Sequence, residues 1–599
     1  MAEKILKRCE VPLEMTWRLE DIYPDTEAWE AEVKKAGELA EEIAAYEGRV
    51  TESPATLLQV MDLYEACCLC IDRFAGYAHM KNDQDTGNAE NQSLQARSRS
   101  AIVRVDEKIS FMEPELLQME KEELEKYLAE EPGLKKYEVF FRESFRQKEH
   151  SLSAEMEKLL ASAGELAGVP ANGFSNLINA DLKFPAVKNA AGEEVPLSNG
   201  RFVKMQMDQD RSFRKDVFEA FYGRYKEFSN TWAALYDGQV KKQIFFAKAR
   251  KYPSTFVAAV DGNNVAPAVC DQLIESVHRG MHHMHRYVEL RKKLLGVEEL
   301  HMYDVYMPIV SDYDISVSYE EAQRITLEAL APLGEEYCRI VKTAFAERWI
   351  DVLENEGKRG GAYSSGVYDV HPYMLLNWSG TLDDVFTLVH EMGHSMHTWY
   401  STKNQTYLNS NYKIFVAEVA STTNEVLLLE YLLKKAESAA EKKYLINHYL
   451  ESFKGTLYRQ TMFEEFERKT NAMAEEGIPL TAEKLCETYY ALNQDYFGEA
   501  MVSDPLIAYE WCRIPHFYYN FYVYQYATSY AASVAIAHRI LEEGAPMVEK
   551  YKNFLKSGCT QDPVSLLKIA GVDLSTGEPV DEALKVFGEA IDHFEELND

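Results

Sequence analysis

Two histidines and a glutamate in HEMGH, residues 390–394, have the types and the spacing that metal chemistry needs. His390 and His394 are one helical turn apart, so both imidazoles can reach a single ion. Glu391 lies about 100° around the helix from His390, where it can take a proton from a water that the ion polarises. Zinc lowers the pKa of such a water from about 15.7 toward about 7, so the pattern predicts zinc-assisted hydrolysis.

A third protein ligand is needed, because catalytic zinc binds three protein groups and keeps one position open. In the pattern HExxHxxGxxH this ligand is a histidine, but Tyr400 stands at that position here. The segment 411–435 is typical of the next helix, and Glu418 lies in its apolar first half. A carboxylate in such surroundings needs a charge partner. We therefore predict that His390, His394 and Glu418 bind one Zn²⁺ ion per chain.

Two acidic residues are candidates for orienting the histidines, because a metal-bound histidine usually donates its other N–H to a carboxylate or a carbonyl. Glu425 follows Glu418 by two turns on the same helix face, and Asp383 precedes His390 by two turns. The spacing leaves both alternatives open.

Donors for a developing oxyanion are predicted in the tyrosine-rich segment RIPHFYYNFYVYQYATSY, residues 513–530. On a helix that begins near Pro515, His516 and Tyr519 would lie one turn apart, and Tyr526 would continue near the face of Tyr519. Aromatic core packing explains most tyrosines in such a segment. For His516 and Tyr519 together, the spacing favours a catalytic role.

A helix over 381–401 must position the two histidines. Thr381 suits the N-cap, with Asp384 at the third helical position in a capping box. At about 100° per residue, one sector of this helix is polar and comprises Asp383, Thr387, His390, Glu391, His394, His397 and Thr398. The opposite sector is apolar and comprises Leu388, Val389, Met392, Met396 and Trp399. This sorting predicts one face packed in a core and the other turned toward a polar cavity.

The remaining chain favours a mainly α fold. Apolar residues recur at helical spacing through 30–48, 54–80, 85–112, 117–130 and 153–167. Two segments interrupt this pattern: 184–202 is typical of a β-hairpin turning at Asn189 to Gly192, and 368–380 is a short apolar run before Thr381. We predict an N-terminal helical lobe over 1–115, a middle helical segment with the hairpin over 116–200, and the catalytic region over 201–599.

The net charge and the cysteine content exclude several classes of partner and of cellular location. The net charge is −33, from 97 acidic and 64 basic residues, and a phosphate-binding surface needs clustered Lys and Arg. Neither nucleic acid nor an anionic membrane is therefore an expected partner. Nine cysteines without a disulfide framework favour reduced thiols and a cytoplasmic location. No signal peptide or membrane span is predicted.

Several segments resemble oligoendopeptidase F, of the thimet oligopeptidase family of zinc peptidases. They are TWRLEDIYPD (16–25), EHSLSAEMEKLL (149–160), NADLKFP (179–185), LHMYDVYMPI (300–309), KRGGAYSSG (358–366), the metal-binding helix and FVAEVAST (415–422). The resemblance extends over nearly the whole chain, in the same order. It implies a two-lobed helical body around a deep central channel, with a small β element beside the active site and zinc on the channel floor.

The resemblance also implies internal cleavage of short oligopeptides. By matching motif, His390, His394 and Glu418 carry over as ligands and Glu391 as general base, while Tyr519 falls where relatives place an oxyanion tyrosine, with His516 nearby. Relatives bind the substrate backbone along an edge strand, here about Tyr373–Ser379. The expected substrate-binding residues are Tyr373, Asn377, Ser379 and Tyr526.

Two rival functions stay open from the sequence. A dipeptidyl carboxypeptidase on the same scaffold would need a fixed cation to hold the substrate C-terminus. A non-catalytic peptide-binding protein would hold zinc structurally, and a structural site is closed by a fourth ligand. His397 is the nearby candidate for that ligand. The presence of Glu391 argues for catalysis, because structural zinc has no use for it.

Overall fold

Helices dominate this protein, as the spacing of its apolar residues predicts. The structure is a computed structural model, and it describes residues 5–310 and 316–598. It is 72% helical and 4% strand, which confirms the predicted mainly α class.

The chain divides into two units, each assembled from three separate segments. The first comprises Met1–Glu149, Asp314–Lys434 and Ile536–Val572, and the second comprises His150–Tyr313, Lys435–Ala535 and Asp573–Asp599. The domain boundaries predicted at residues 115 and 200 stay predictions.

The α-helices of the first unit carry the predicted metal ligands. They are Thr26–Ala44, Pro54–Gln84, Ala89–Ile109, Met112–Leu116, Lys121–Glu130, Glu138–Arg146, Tyr319–Ala329, Glu335–Ala346, Leu382–Asn404, Tyr407–Ser410, Ile414–Lys435, Ala545–Leu555 and Pro563–Ile569. The helix Tyr524–Glu543 contains the unit boundary at Ile536.

The second unit is also built mainly from α-helices. They are Ala154–Ser162, Gly164–Asn176, Asn199–Met205, Arg211–Glu227, Ser229–Ala249, Thr255–Gly262, Pro267–Arg279, Met281–Leu295, Ala439–Ser452, Arg459–Glu475, Ala482–Phe497 and Glu578–Glu596. The helical spacing of apolar residues over 153–167 covers two helices, Ala154–Ser162 and Gly164–Asn176. The spacing did not reveal the break at Ala163, because it continues across it.

The strands in the described part of the chain are short: β1 (Val187–Lys188), β2 (Glu194–Val195), β3 (Leu300–His301), β4 (Ile350–Leu353), β5 (Tyr363–Ser365), β6 (Tyr373–Trp378) and β7 (Met501–Val502). β1 and β2 pair antiparallel, which confirms the hairpin at 184–202. Gly192 closes its turn with a φ of 79°, a conformation that glycine adopts without strain. β3 and β7 pair in parallel.

A three-stranded sheet in the first unit has the order β4-β6-β5. β6 pairs in parallel with β4 and antiparallel with β5. The predicted edge strand at Tyr373–Ser379 is therefore wrong, because β6 is the middle strand. An apolar run indicates a strand but not its place in the sheet, since both middle and edge strands can bury one face.

The sheet shares its core with the N-terminal helices. Tyr373 and Leu375 of β6 belong to one buried cluster with Trp29, Phe74 and Tyr77. The helix Pro54–Gln84 is long and apolar enough, by length and composition, to cross a membrane. Its Leu57, Val60, Met61 and Phe74 lie in this same cluster, as expected of a core helix.

Candidate metal centre

The helix Leu382–Asn404, called here the metal helix, begins with the predicted capping box. The Thr381 hydroxyl accepts from the Asp384 backbone N–H at 3.2 Å, and Asp384 Oδ2 accepts from the Thr381 N–H at 2.9 Å. Ser379 donates to the same carboxylate through its N–H and its hydroxyl. These bonds satisfy backbone donors that a helix start leaves free, so the first turn is fixed.

The metal helix packs backbone to backbone against the next long helix, Ile414–Lys435. At Gly393 a Cβ atom would lie 2.5 Å from the Ala420 carbonyl oxygen and 2.5 Å from the Ser421 Cα. Asn424 donates to the Val389 carbonyl at 3.3 Å across the same contact. Glycine thus permits the close approach that brings ligands on the two helices together.

The predicted ligands His390, His394 and Glu418 form one group, whose donor atoms all lie within 4.8 Å of one another. Glu418 Oε2 is 3.5 Å from His390 Nε2 and 3.7 Å from His394 Nε2. Among the described residues this is the one group of its kind. Two imidazole nitrogens and a carboxylate oxygen that converge in this way suit a zinc ion with one position left open.

In each histidine one ring nitrogen has a hydrogen-bond partner outside the donor group, and the remaining nitrogen is turned toward the group. Glu425 Oε1 lies 2.9 Å from His390 Nδ1, and His394 hydrogen-bonds the Ala417 backbone carbonyl. Burial favours neutral His390, but the Glu425 carboxylate outweighs burial and raises the pKa of His390 to about 9. Burial and the His390 charge lower the pKa of His394 to about 4. Asp383, the alternative to Glu425, makes no hydrogen bond to either ring among the described residues, and its carbonyl accepts from Thr387.

Glu391 is buried beside the donor group, with 7% of its surface exposed. Its Oε2 has no hydrogen-bond partner among the described residues, and the carboxylate accepts from the Ser364 backbone N–H of β5. Burial raises the pKa of Glu391 to about 7. A carboxyl with a pKa near neutrality and one free oxygen can both accept and return a proton.

His397 lies away from the donor group, although its spacing puts it in the polar sector of the metal helix. Its ring stacks on Tyr412 at 3.6 Å and lies 5.2 Å from the Phe554 ring. Burial lowers the pKa of His397 to about 3. The predicted polar sector is therefore wrong at this residue, because aromatic side chains from later segments cover it. The fourth ligand of a closed structural site is thus not supplied by His397.

The oxyanion candidates His516 and Tyr519 belong to the second unit. They do not lie on one α-helix: a 3-10 helix spans Pro515–Tyr518, and the next α-helix begins at Tyr524. Asn520 and Phe521, with φ of 60° and 56°, adopt the left-handed conformation that ends the helical path. The His516 ring still lies 5.7 Å from that of Tyr519 and 5.8 Å from that of Tyr526.

The turn after Tyr519 is held by buried contacts. The Phe521 N–H donates to Glu467 Oε1 at 3.2 Å, and its ring packs against Phe256. Gln239 donates to the Tyr518 carbonyl at 3.2 Å. Two consecutive left-handed non-glycine residues persist only when their surroundings over-determine them. The Tyr519 side chain remains 58% exposed on this rigid support.

The predicted substrate-binding residues of 373–379 are occupied within the fold. Tyr373 is fully buried and donates to the Arg18 carbonyl at 3.0 Å. Asn377 donates to the Arg359 and Gly361 carbonyls, and Ser379 caps the metal helix. The Tyr373 side chain therefore belongs to the core, and the substrate-binding role of these residues stays a prediction. The open edge beside Glu391 is β5.

Sequence reasoning missed two residues of this centre. Ser364 acts through its backbone N–H, which a residue type does not reveal. Gly393 carried a readable signal, because a glycine inside a helical pattern is destabilising unless packing requires it.

Comparison with known proteins gives consistent matches along the chain. The profile described as peptidase family M3 matches residues 204–586, and the profile described as oligopeptidase F matches residues 115–184. Oligopeptidase PepF of Bacillus subtilis (strain 168) is 45% identical over 596 residues, which cover 100% of this chain and 89% of that protein.

Solved structures agree with these matches. The crystal structure of oligoendopeptidase-F from Enterococcus faecium is 37% identical, covers 96% of this chain and 99% of its own, and has a TM-score of 0.74. A crystal structure from Chlamydophila abortus is 33% identical, covers 99% of this chain and 100% of its own, and has a TM-score of 0.93.

Proposed function

The chain belongs to peptidase family M3, and on this premise we propose that it is a zinc-dependent endopeptidase that cleaves internal bonds of short oligopeptides. The observation that carries the proposal is the convergence of His390, His394 and Glu418 beside the buried Glu391. The cytoplasmic location stays a prediction.

The donor set fits zinc by its chemistry. Two imidazoles and one carboxylate are a ligand set of catalytic zinc sites, and Glu425 fixes the ring of His390 through its other nitrogen. Zinc, when bound, supplies Lewis-acid polarisation that makes water nucleophilic near neutral pH.

Glu391 is proposed as the general base and then the general acid. Its unpartnered Oε2 takes the proton of the attacking water and later gives it to the leaving amine. The Ser364 N–H holds the other side of the carboxylate, so the group keeps one orientation through both transfers. Such a proton relay typically contributes about 10²–10⁴-fold to the rate.

Two further elements are assigned by proposal. Tyr519 donates its hydroxyl to the oxyanion, with His516 beside it, and Tyr526 contributes to the surrounding aromatic surface. The peptide main chain adds to the edge of β5, because that strand pairs on one side with β6. Main-chain pairing does not depend on the side chains of the peptide, so we expect a broad sequence preference of cleavage.

A peptide digest read by mass spectrometry tests the function. We expect internal cleavage of peptides of roughly 5–20 residues, a size range set by the length of an extended strand. We expect no cleavage of casein. Millimolar 1,10-phenanthroline should abolish the activity and added zinc should restore it. Release of C-terminal dipeptides alone would establish the dipeptidyl carboxypeptidase instead, and hydrolysis that survives the chelator would refute the metallopeptidase.

A further inference from the structure

A pocket in the second unit adjoins Tyr519 and has features that the metal centre does not explain. Its volume is about 470 Å³, and its wall comes from the helices Ser229–Ala249 and Thr255–Gly262 and from the turn Tyr518–Asn520. All of these segments belong to the second unit. A pocket of this volume is within the range that binds small molecules or parts of a peptide.

Buried polar atoms without partners are concentrated on this wall. Gln243 is 7% exposed, and neither its amide nitrogen nor its amide oxygen has a hydrogen-bond partner among the described residues. The same holds for Gln239 Oε1 and Thr255 Oγ1, whose residues are 1% and 2% exposed. Most buried polar groups in proteins are hydrogen-bonded. Four such atoms around one pocket therefore indicate that an incoming polar group is their partner.

One cation of the pocket has no counter-ion in the described part of the chain. Lys242 is half-buried, and burial lowers its pKa with no carboxylate acting against this effect. The other cation on the wall, Arg250, is already paired with Glu157 at 2.8 Å. The adjacent Lys241 is exposed and pairs with Asp237. A half-buried ammonium left unpaired in a chain of net charge −33 favours an anionic ligand.

The mixture of groups distinguishes between anions. Lys242, the Gln243 amide N–H and the Thr255 hydroxyl can donate to an oxyanion, whereas Gln239 Oε1 and Gln243 Oε1 can only accept. A phosphate offers oxygens throughout and would face these acceptors unfavourably. A peptide carboxylate is preceded by backbone N–H groups, so it supplies donors next to the charge.

We propose that this pocket is a subsite that binds a carboxylate of the peptide substrate, with Lys242 as its counter-ion and Gln243 as its hydrogen-bond partner. The proposal rests on the function proposed above and extends it to substrate choice. Gln239 connects the subsite to the oxyanion candidate Tyr519, because its amide nitrogen donates to the carbonyl of the preceding residue, Tyr518. The carboxylate is either the free C-terminus or an acidic side chain.

Three forms of one peptide test the proposal: the free acid, the C-terminal amide, and the amide with a C-terminal Glu residue. For the wild type with zinc, we expect kcat/KM to be about 10- to 100-fold higher for at least one of the two carboxylate-bearing forms than for the plain amide, as for one hydrogen-bonded charge. A kcat/KM of the Glu-containing amide that exceeds that of the plain amide would assign the carboxylate to an acidic side chain. Equal kcat/KM values of the two amides, with a higher value for the free acid, would assign it to the C-terminus.

Lys242→Met should reduce the ratio of kcat/KM between the carboxylate-bearing peptide and the plain amide to near unity. Lys241→Met removes the same charge one residue away and should keep the full preference. Lys242→Gln, with thermal unfolding monitored for all variants, separates the loss of the charge from a folding defect.

Calorimetric titration of the three peptide forms into the Glu391→Gln variant measures binding without turnover. Tighter binding of a carboxylate-bearing form than of the plain amide supports the subsite even if no peptide is hydrolysed, in which case the proposed function alone fails. Equal hydrolysis and equal binding of the free acid, the plain amide and the Glu-containing amide would overturn the subsite and leave the peptidase intact.

Discussion

Gly393→Ala tests the packing that assembles the metal centre. The added Cβ would lie 2.5 Å from the Ala420 carbonyl oxygen and from the Ser421 Cα, whereas carbon–carbon contacts are favourable at about 3.5–4.0 Å. The two helices must therefore separate by about 1 Å. Since zinc sites tolerate deviations of about 0.2 Å in ligand distance, this movement takes Glu418 out of range of the two histidines.

We expect Gly393→Ala to weaken zinc binding by at least about 10-fold, the lower end of the cost of disturbing ligand support. The overpacking should also destabilise the fold by about 1–3 kcal/mol, more than the roughly 1 kcal/mol that alanine gains over glycine in a helix. Competition with a fluorescent chelator measures the affinity, and urea unfolding measures the stability.

Gly37→Ala is the matched control. Gly37 lies in the helix Thr26–Ala44 of the same unit and has nothing within 4 Å of an added Cβ. This variant should be more stable than the wild type by about 0.5–1 kcal/mol and should bind zinc normally. Equal zinc affinity in Gly393→Ala and the wild type would refute the reasoning, because the helices would then tolerate the methyl group without moving.

Three further predictions follow from named contacts. Glu425→Ala removes the partner of His390 Nδ1, so zinc affinity should fall by about 10- to 100-fold in the same chelator assay; unchanged affinity would contradict the orienting role. Tyr519→Phe should lower kcat with little change in KM, since losing an oxyanion donor costs roughly 3–4 kcal/mol, and an unchanged kcat would remove Tyr519 from catalysis. Burial alone would raise the pKa of Glu465, but the hydrogen bond from His278 and the Lys469 ammonium lower this pKa to about 2. The ionised Glu465 therefore stabilises the fold above pH 4.5, and this stabilisation is lost as the pH falls toward 2. Urea unfolding from pH 6 to pH 3 should therefore show a loss of about 1 kcal/mol that is absent in Glu465→Gln, and parallel pH profiles would contradict this account.

Local sequence signals predicted the elements that depend on neighbouring residues. The capping box at Thr381 and Asp384 and the hairpin turn at Gly192 formed as their residue types dictate. The helical spacing through 54–80 likewise corresponds to the helix Pro54–Gln84. In each case the determining contacts lie within a few residues along the chain.

Properties set by distant segments could not be predicted in this way. His397 has the spacing of the polar sector, but Tyr412 and Phe554 bury it. β6 is a middle strand only because β4 and β5 pair with its two sides. The left-handed pair Asn520 and Phe521 ends a helical pattern that aromatic spacing alone would continue.

The metal-ligand hypothesis required only one helix and one following carboxylate, and the structure brings its three residues together. What the sequence left open between Glu425 and Asp383 is a matter of helix packing. The crossing at Gly393 turns the Glu425 face toward His390 and leaves Asp383 without a bond to either ring.

Metal content and turnover of Glu391→Gln, measured on the same preparation, test whether Glu391 is the general base of a zinc site. Gln is nearly isosteric but cannot accept the proton of the attacking water, so the account predicts about one zinc per chain, as in the wild type, with kcat lower by about 10²–10⁴-fold. Wild-type turnover in this variant would contradict the assignment of Glu391 as the base. Loss of the zinc would make Glu391 a support of the metal site and not its catalyst.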